Sequence, residues 1–233
     1  MINIKSEKCF DCTACNERSP LFHYLTKDEL AIMNAGRFEV HFDAGETIVK
    51  QGTIANHMMV ITNGIAKLFL EGIDRRNLIL DLVLPWKLFG GPGLFNDMRY
   101  HYSVSALTAT SACFIAADHV RQVIRSNPDF AESILRHCNK NSAANFDRLI
   151  SLTQKQMPGR LADTLIYLTN DIFRKNRFTL PLSRLELGEM SNMTKESVTR
   201  ILKEFEAEKI ITVEGKTIEI LNLEVLKEIS VRG

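Results

Sequence analysis

The chain has 233 residues, 45% of them hydrophobic, which suits two modest domains with proper cores and predicts a soluble globular protein. Lys and Arg number 29 against 28 Asp and Glu, so the net charge of +1 excludes a globally basic surface, and any attraction to a polyanion must be local. No apolar run follows a basic start and none is long enough to span a bilayer, which predicts no membrane insertion and a cytoplasmic location.

Three of the five cysteines open the chain as Cys9-x2-Cys12-x2-Cys15. That is the spacing of the first three ligands in bacterial ferredoxin runs. A reducing cytosol disfavours disulfides among them. Zinc also uses Cys-x2-Cys pairs, but no second such pair and no His pair follows, so a fourth ligand must come from far along the chain.

Glycines at 45, 52, 64, 72, 90, 91 and 93 then punctuate short runs such as Glu46–Val49, Met58–Ile61 and Leu78–Val83. These strand and turn signals predict an all-β roll or barrel between about Phe38 and Ala116. The amides of Gly90 to Gly93 suit either an anion nest or ordinary turn geometry. From Asp129 to Gln156 there is no glycine or proline, and Phe130, Ile134, Leu135, Phe146, Leu149 and Leu152 recur at helical intervals, predicting one long helix. Asn141 and Asn145 interrupt its apolar stripe, either to fix register or because they are solvated. Pro158 ends that helix or starts the next, predicted over Gly159 to Phe173.

Ser183-Arg184-Leu185-Glu186 has capping-box spacing and starts a short helix to Met190, after which Asn192 tolerates the positive φ of a tight turn. Thr194 caps a second helix in which Val198, Ile201, Leu202 and Phe205 fall at i, i+3, i+4 and i+7. That stripe must pack inward, leaving Lys195, Glu196, Thr199, Arg200 and Lys203 facing out. Arginine can donate twice to guanine O6 and N7, glutamate can accept from cytosine N4, and lysine finds phosphate. A solvated charged face is the plain alternative. Two strand runs around Glu214-Gly215-Lys216 form a hairpin, and a helix pair followed by a hairpin suggests a winged helix.

From Ser183 to Lys203 these residues resemble the two-helix motif of the Crp/Fnr family of bacterial transcription regulators, with Glu196 and Arg200 matching its Glu-x-x-x-Arg pair. Asn192 stands at the usual turn glycine. Ala44-Gly45-Glu46-Thr47-Ile48, Gly52 and Ile61-Thr62-Asn63-Gly64 are similar to the family's cyclic-nucleotide-binding β-roll. The resemblance implies an α+β chain: a cysteine segment (1–20), a β-roll or jelly-roll sensor (21–125), a dimerisation helix (126–157) and a winged helix-turn-helix (158–233). It implies a homodimer on palindromic double-stranded DNA and contact with RNA polymerase. Ser183, Arg184, Thr194, Lys195, Glu196, Thr199, Arg200 and Lys203 become the candidate DNA contacts.

Where family members hold the ribose and cyclic phosphate with Phe-Gly-Glu and Arg-Ser, this chain has Gly91 in place of the glutamate and Tyr100-His101 in place of Arg-Ser. A phosphate loses its charged partner and a ribose hydroxyl its acceptor, which argues against cyclic AMP. Gly90, Gly91, Gly93, Arg99 and His101 remain the candidate effector residues, with Arg99 the nearest substitute for phosphate. Fnr-type members add a distant β-roll cysteine to an N-terminal group, and the segment ending in Cys113 resembles the one that carries it. Cys9, Cys12, Cys15 and Cys113 would then accept a [4Fe-4S] cluster coupling oxygen or nitric oxide to DNA binding. The other reading makes Cys113 a buried strand residue and the N-terminal thiols a tail or a zinc site. No nucleophile-base set, Walker loop or zinc-protease motif appears, so no catalysis is expected. The competing function is a small-molecule-sensing roll that acts through protein partners.

Overall fold

The computed structural model describes residues 19–90 and 92–233. Two compact units emerge among them, one made of 19–71 and 81–141, the other of 72–80 and 142–233.

The first unit opens with a 3-10 turn (Pro20–Tyr24) and helix α1 (Lys27–Ala35). Thr26 caps α1 through a reciprocal box with Glu29, whose carboxylate accepts from the Thr26 amide at 2.9 Å. The roll follows as β1 (Arg37–Phe42), β2 (Thr47–Val49), β3 (His57–Asn63), β4 (Ala66–Leu70), β5 (Leu78–Val83), β6 (Leu88–Phe89), β7 (Ser103–Ala106) and β8 (Thr110–Ala116). They form two four-stranded sheets ordered β1-β8-β3-β6 and β2-β7-β4-β5. The three apolar runs singled out in the sequence are strands β2, β3 and β5. Met59, Ile61, Val104, Ala112 and Ile115 have no solvent exposure and make the roll's core. Helix α2 (Ala117–Ser126) leads into α3 (Pro128–Gln154), a single uninterrupted helix of 27 residues. Its first turn is pinned by fully buried Phe130, whose amide donates to the Asn127 side chain at 2.9 Å.

In the second unit Pro158 starts α4 (Met157–Tyr167) from its first turn, where a missing N–H costs nothing. The helix predicted to reach Phe173 does so with a change of pitch: Leu168–Phe173 is a π turn, ended by Arg174 in the left-handed region at φ 52°. Strand β9 (Arg177–Thr179), helices α5 (Arg184–Ser191) and α6 (Lys195–Ala207), the hairpin β10 (Ile211–Glu214) and β11 (Thr217–Ile220), and α7 (Leu223–Arg232) complete the unit. The hairpin is one strand wider than expected. β9 adds to its edge in the order β10-β11-β9, pairing Phe178 with Ile218.

Candidate nucleic-acid interface

Both helices of the pair start as their sequences dictate. The Ser183 hydroxyl accepts from the Glu186 amide at 3.2 Å while the Glu186 carboxylate accepts from the Ser183 amide at 2.8 Å. Thr194 accepts from the Ser197 amide at 3.2 Å. The turn between them passes through Asn192 at φ 50°, ψ 56°, and its amide closes α5 on the Gly188 carbonyl. Gly188 has no alternative: a Cβ there would lie 2.5 Å from the Met193 carbonyl oxygen. The whole turn therefore fits only because α5 presents bare backbone to it.

Val198, Ile201, Leu202 and Phe205 are all buried, none more than 3% exposed. Each such side chain contributes about 1.5–3 kcal/mol when taken from water, so α6 cannot rotate about its axis. Its outer face is thereby fixed. Lys195, Glu196, Thr199, Arg200 and Lys203 together line one shallow surface hollow, with Thr199 half-buried and the other four exposed. An open groove of about 1000 Å³ continues from Lys195 and Glu196 past Ser183 and Arg184 to Gly215 and Lys216.

Glu196 and Arg200 do not pair with each other. The Glu196 carboxyl is held below its usual range, first by its own backbone N–H at the helix start and then by the Thr194 hydroxyl. Arg200 turns the other way along the helix, with Nη1 donating to Glu204 Oε1 at 2.6 Å. The Thr199 hydroxyl donates to the Lys195 carbonyl at 2.8 Å. Glu204 went unnoticed in the sequence because Glu196 and Glu204 flank Arg200 symmetrically at four residues each. In the folded chain it is Glu204 that Arg200 engages.

Arg184, expected to meet DNA, is half-buried and donates from Nη2 to the Gly215 carbonyl at 3.2 Å, fastening α5 to the tip of the hairpin. Burial pushes its guanidinium pKa down, opposed by the nearby Glu206 charge. Arg177 of β9 bridges two acidic residues of the hairpin, Glu214 at 2.8 Å and Glu219 at 2.9 Å. Lys216 at the turn is thus carried on a hairpin held by Arg184 at its tip and by Arg177 along its strands. Ser183 and Thr194 spend their hydroxyls on helix caps.

In the first unit, the candidate effector residues have protein partners. Arg99 donates to the Gly52 carbonyl at 2.8 Å, and His101 sits 3.0 Å from Asp97. Tyr100 is buried and donates its hydroxyl to the His57 carbonyl at 3.0 Å. Gly93 belongs to a 3-10 turn (Pro92–Phe95), where a Cβ would lie 1.6 Å from the Arg99 carbonyl oxygen. Close backbone packing accounts for that glycine. Gly91 lies outside the described residues.

Cys9, Cys12 and Cys15 also lie outside them. Cys113 is buried on β8, opposite Glu39 of β1 and Val60 of β3, with the Arg37 guanidinium 3.6 Å from its sulfur. Among the described residues no three His, Cys, Asp or Glu side chains gather as a metal site. No helix among them is long and apolar enough to cross a membrane.

Two family models match the chain: the cyclic nucleotide-binding domain over residues 39–127 and the Crp-like helix-turn-helix domain over 159–229. The transcriptional activator protein FnrA of Stutzerimonas stutzeri is 26% identical over 182 residues, covering 76% of this chain and 74% of that protein. A CRP-like cAMP-activated global transcriptional regulator of Mycobacterium tuberculosis is 24% identical over 211 residues, covering 89% and 94%. Of solved structures, FixK2 from Bradyrhizobium japonicum shares the fold at a TM-score of 0.77 and 19% identity, over 83% of this chain and 96% of its own.

Proposed function

The chain belongs to the Crp/Fnr family of transcription regulators, sequence-specific DNA-binding proteins, and on that premise we propose which residues read the DNA and what controls them. Arg200 and Glu196 read G·C pairs in the major groove. Lys195 and Thr199 make adjacent base or phosphate contacts, and Lys203 holds the backbone. The observation that carries this reading is the hollow lined by these five side chains alone, on a helix whose opposite face is locked in the core. The Crp-like helix-turn-helix match favours DNA over a protein partner for this face.

The working form is a cytoplasmic homodimer on a palindrome, with two α6 helices about one DNA turn apart, and it engages RNA polymerase as family members do. Support comes from α3, where Leu135, Phe146, Leu149 and Ile150 are each more than half exposed, too much apolar surface for a solvated helix. Light scattering that gives a strict monomer, reduced and oxidised, contradicts the dimer.

Cyclic AMP is not the effector in this reading, since Tyr100 stands buried where a phosphate-binding arginine would be needed and Arg99 is engaged with Gly52. The signal enters through cysteines: Cys9, Cys12 and Cys15 with Cys113 would hold a [4Fe-4S] cluster, which when bound supplies sensitivity to oxygen or nitric oxide. In support, Cys113 is shielded from water and an Arg37 N–H is directed at its sulfur, a donor that would stabilise a thiolate there.

Selection of DNA from a random duplex library by anaerobically prepared protein tests the first reading, followed by Arg200→Ala on the selected site. Loss of discrimination at one symmetric G·C position is expected, and an unchanged preference sinks the assignment. Iron and sulfide analysis of the same preparation tests the second, and a preparation without either ends it.

A further inference from the structure

Arg200 carries five N–H groups in a planar fork, and a fork that swings freely finds a phosphate on any duplex as readily as a guanine on the right one. In this structure an ion pair biases its position. Its Nη1 is held by Glu204 Oε1 at 2.6 Å, one helical turn toward the C-terminus. The tether engages one corner of the guanidinium only. Among the described residues no partner is recorded for the Nε–Nη2 edge, the edge that presents two parallel donors to an acceptor pair such as guanine O6 and N7.

From this the geometry points to Glu204 as a positioning residue for base recognition, a buttress that fixes Arg200 on the outer face of α6 with its two-donor edge outward. The inference rests on Arg200 being a base reader and adds what makes it selective. On the correct base pair the tethered fork binds with its side-chain freedom already restricted, so less is lost on association. On a wrong base pair the tether makes it less favourable for the guanidinium to turn to a phosphate instead, and the Glu204 charge itself disfavours a non-specific approach to the backbone. Both effects widen the gap between right and wrong sites. Neither requires Glu204 to touch DNA.

The test measures the binding of full-length protein to a selected duplex and to the same duplex with the Arg200-dependent G·C pair changed to A·T, for wild type, Arg200→Ala, Glu204→Gln and Glu208→Gln. Glu208 is an exposed carboxylate just past the end of α6 and controls for simple removal of charge. A good bidentate contact discriminates roughly five- to hundredfold at one base pair. Glu204→Gln is expected to lower that ratio about twofold, the worth of an exposed helical ion pair, while binding to the altered duplex strengthens and discrimination at other positions holds. Glu208→Gln is expected to shift both duplexes equally. If Glu204→Gln also shifts both equally, Glu204 acts only as a charge and the buttress is refuted while the role of Arg200 stands. If Arg200→Ala leaves the ratio intact, the base-reading assignment and the buttress fail together.

Discussion

Arg184 separates two accounts of the same basic residue. The sequence places it among the DNA contacts, whereas the folded chain spends its Nη2 on the Gly215 carbonyl at 3.2 Å. Arg184→Ala removes a charged donor from a neutral acceptor. Such bonds contribute about 1.5–3 kcal/mol when shielded, and half-exposure here discounts that to about 1 kcal/mol. For a unit of this size the melting temperature should fall about 4–8 °C, read by calorimetry on the transition of the C-terminal unit. Loosening the hairpin should weaken binding to every duplex alike, by no more than about fivefold if the whole of that energy is felt on DNA. The salt dependence decides between the accounts. A residue that neutralises a phosphate contributes about 0.9 to the slope of log K against log salt, and one that braces a hairpin contributes nothing. Arg184→Ala should therefore melt earlier with an unchanged slope. A slope reduced by about 0.9 with an unchanged melting temperature returns Arg184 to the phosphate and refutes the bracing role.

Lys203, exposed and assigned to the DNA backbone, should behave in the opposite way: Lys203→Ala keeps its stability and loses about 0.9 from the slope on all sequences, measured by anisotropy titrations across salt. Asn192 sits at φ 50°, so Asn192→Gly should stay within about 0.5 kcal/mol of wild type in urea unfolding, while Asn192→Ala, which lacks the local hydrogen bonding that eases this region, should lose about 1 kcal/mol. Burial lowers the pKa of His137, whose ring also faces the Leu88 carbonyl, the Lys87 and Lys140 cations and the Asp81 carboxylate. The unfolded chain therefore takes up the proton first, and stability should decline as pH falls below about 6.5. His137→Gln should flatten that decline between about pH 7 and 5 without abolishing it, because His57 is shifted in the same direction by burial. A decline as steep as that of wild type removes His137 from the account.

What was legible in the sequence had its cause nearby along the chain. Two hydroxyls at helix starts, an asparagine at a left-handed turn and an apolar stripe at helical spacing are each complete within a few residues, and all of them stand in the second unit as read. The same spacing at Thr26 and Glu29 announces α1 just as clearly, a signal present but unused. Long-range pairing left no such trace. β9 is three residues long and gains its place from pairing with β11, Phe178 lying opposite Ile218 forty residues on, which no local pattern encodes. Arg148 is the sharper case. It reads as one more charge on the long helix, yet its guanidinium donates to the backbone carbonyls of Ile79, Leu80 and Met190. Leu80 lies 68 residues before it and Met190 42 residues after. The candidate site divides along the same line: which side chains face outward followed from α6 alone, while what each one holds there, Arg184 on the hairpin tip and Arg200 on Glu204, depended on the groups that competed for it. The recognition proposed for this face accordingly rests on the restraints as much as on the residue types, and a chain with the same five outward residues but glutamine at 204 should select the same site less sharply.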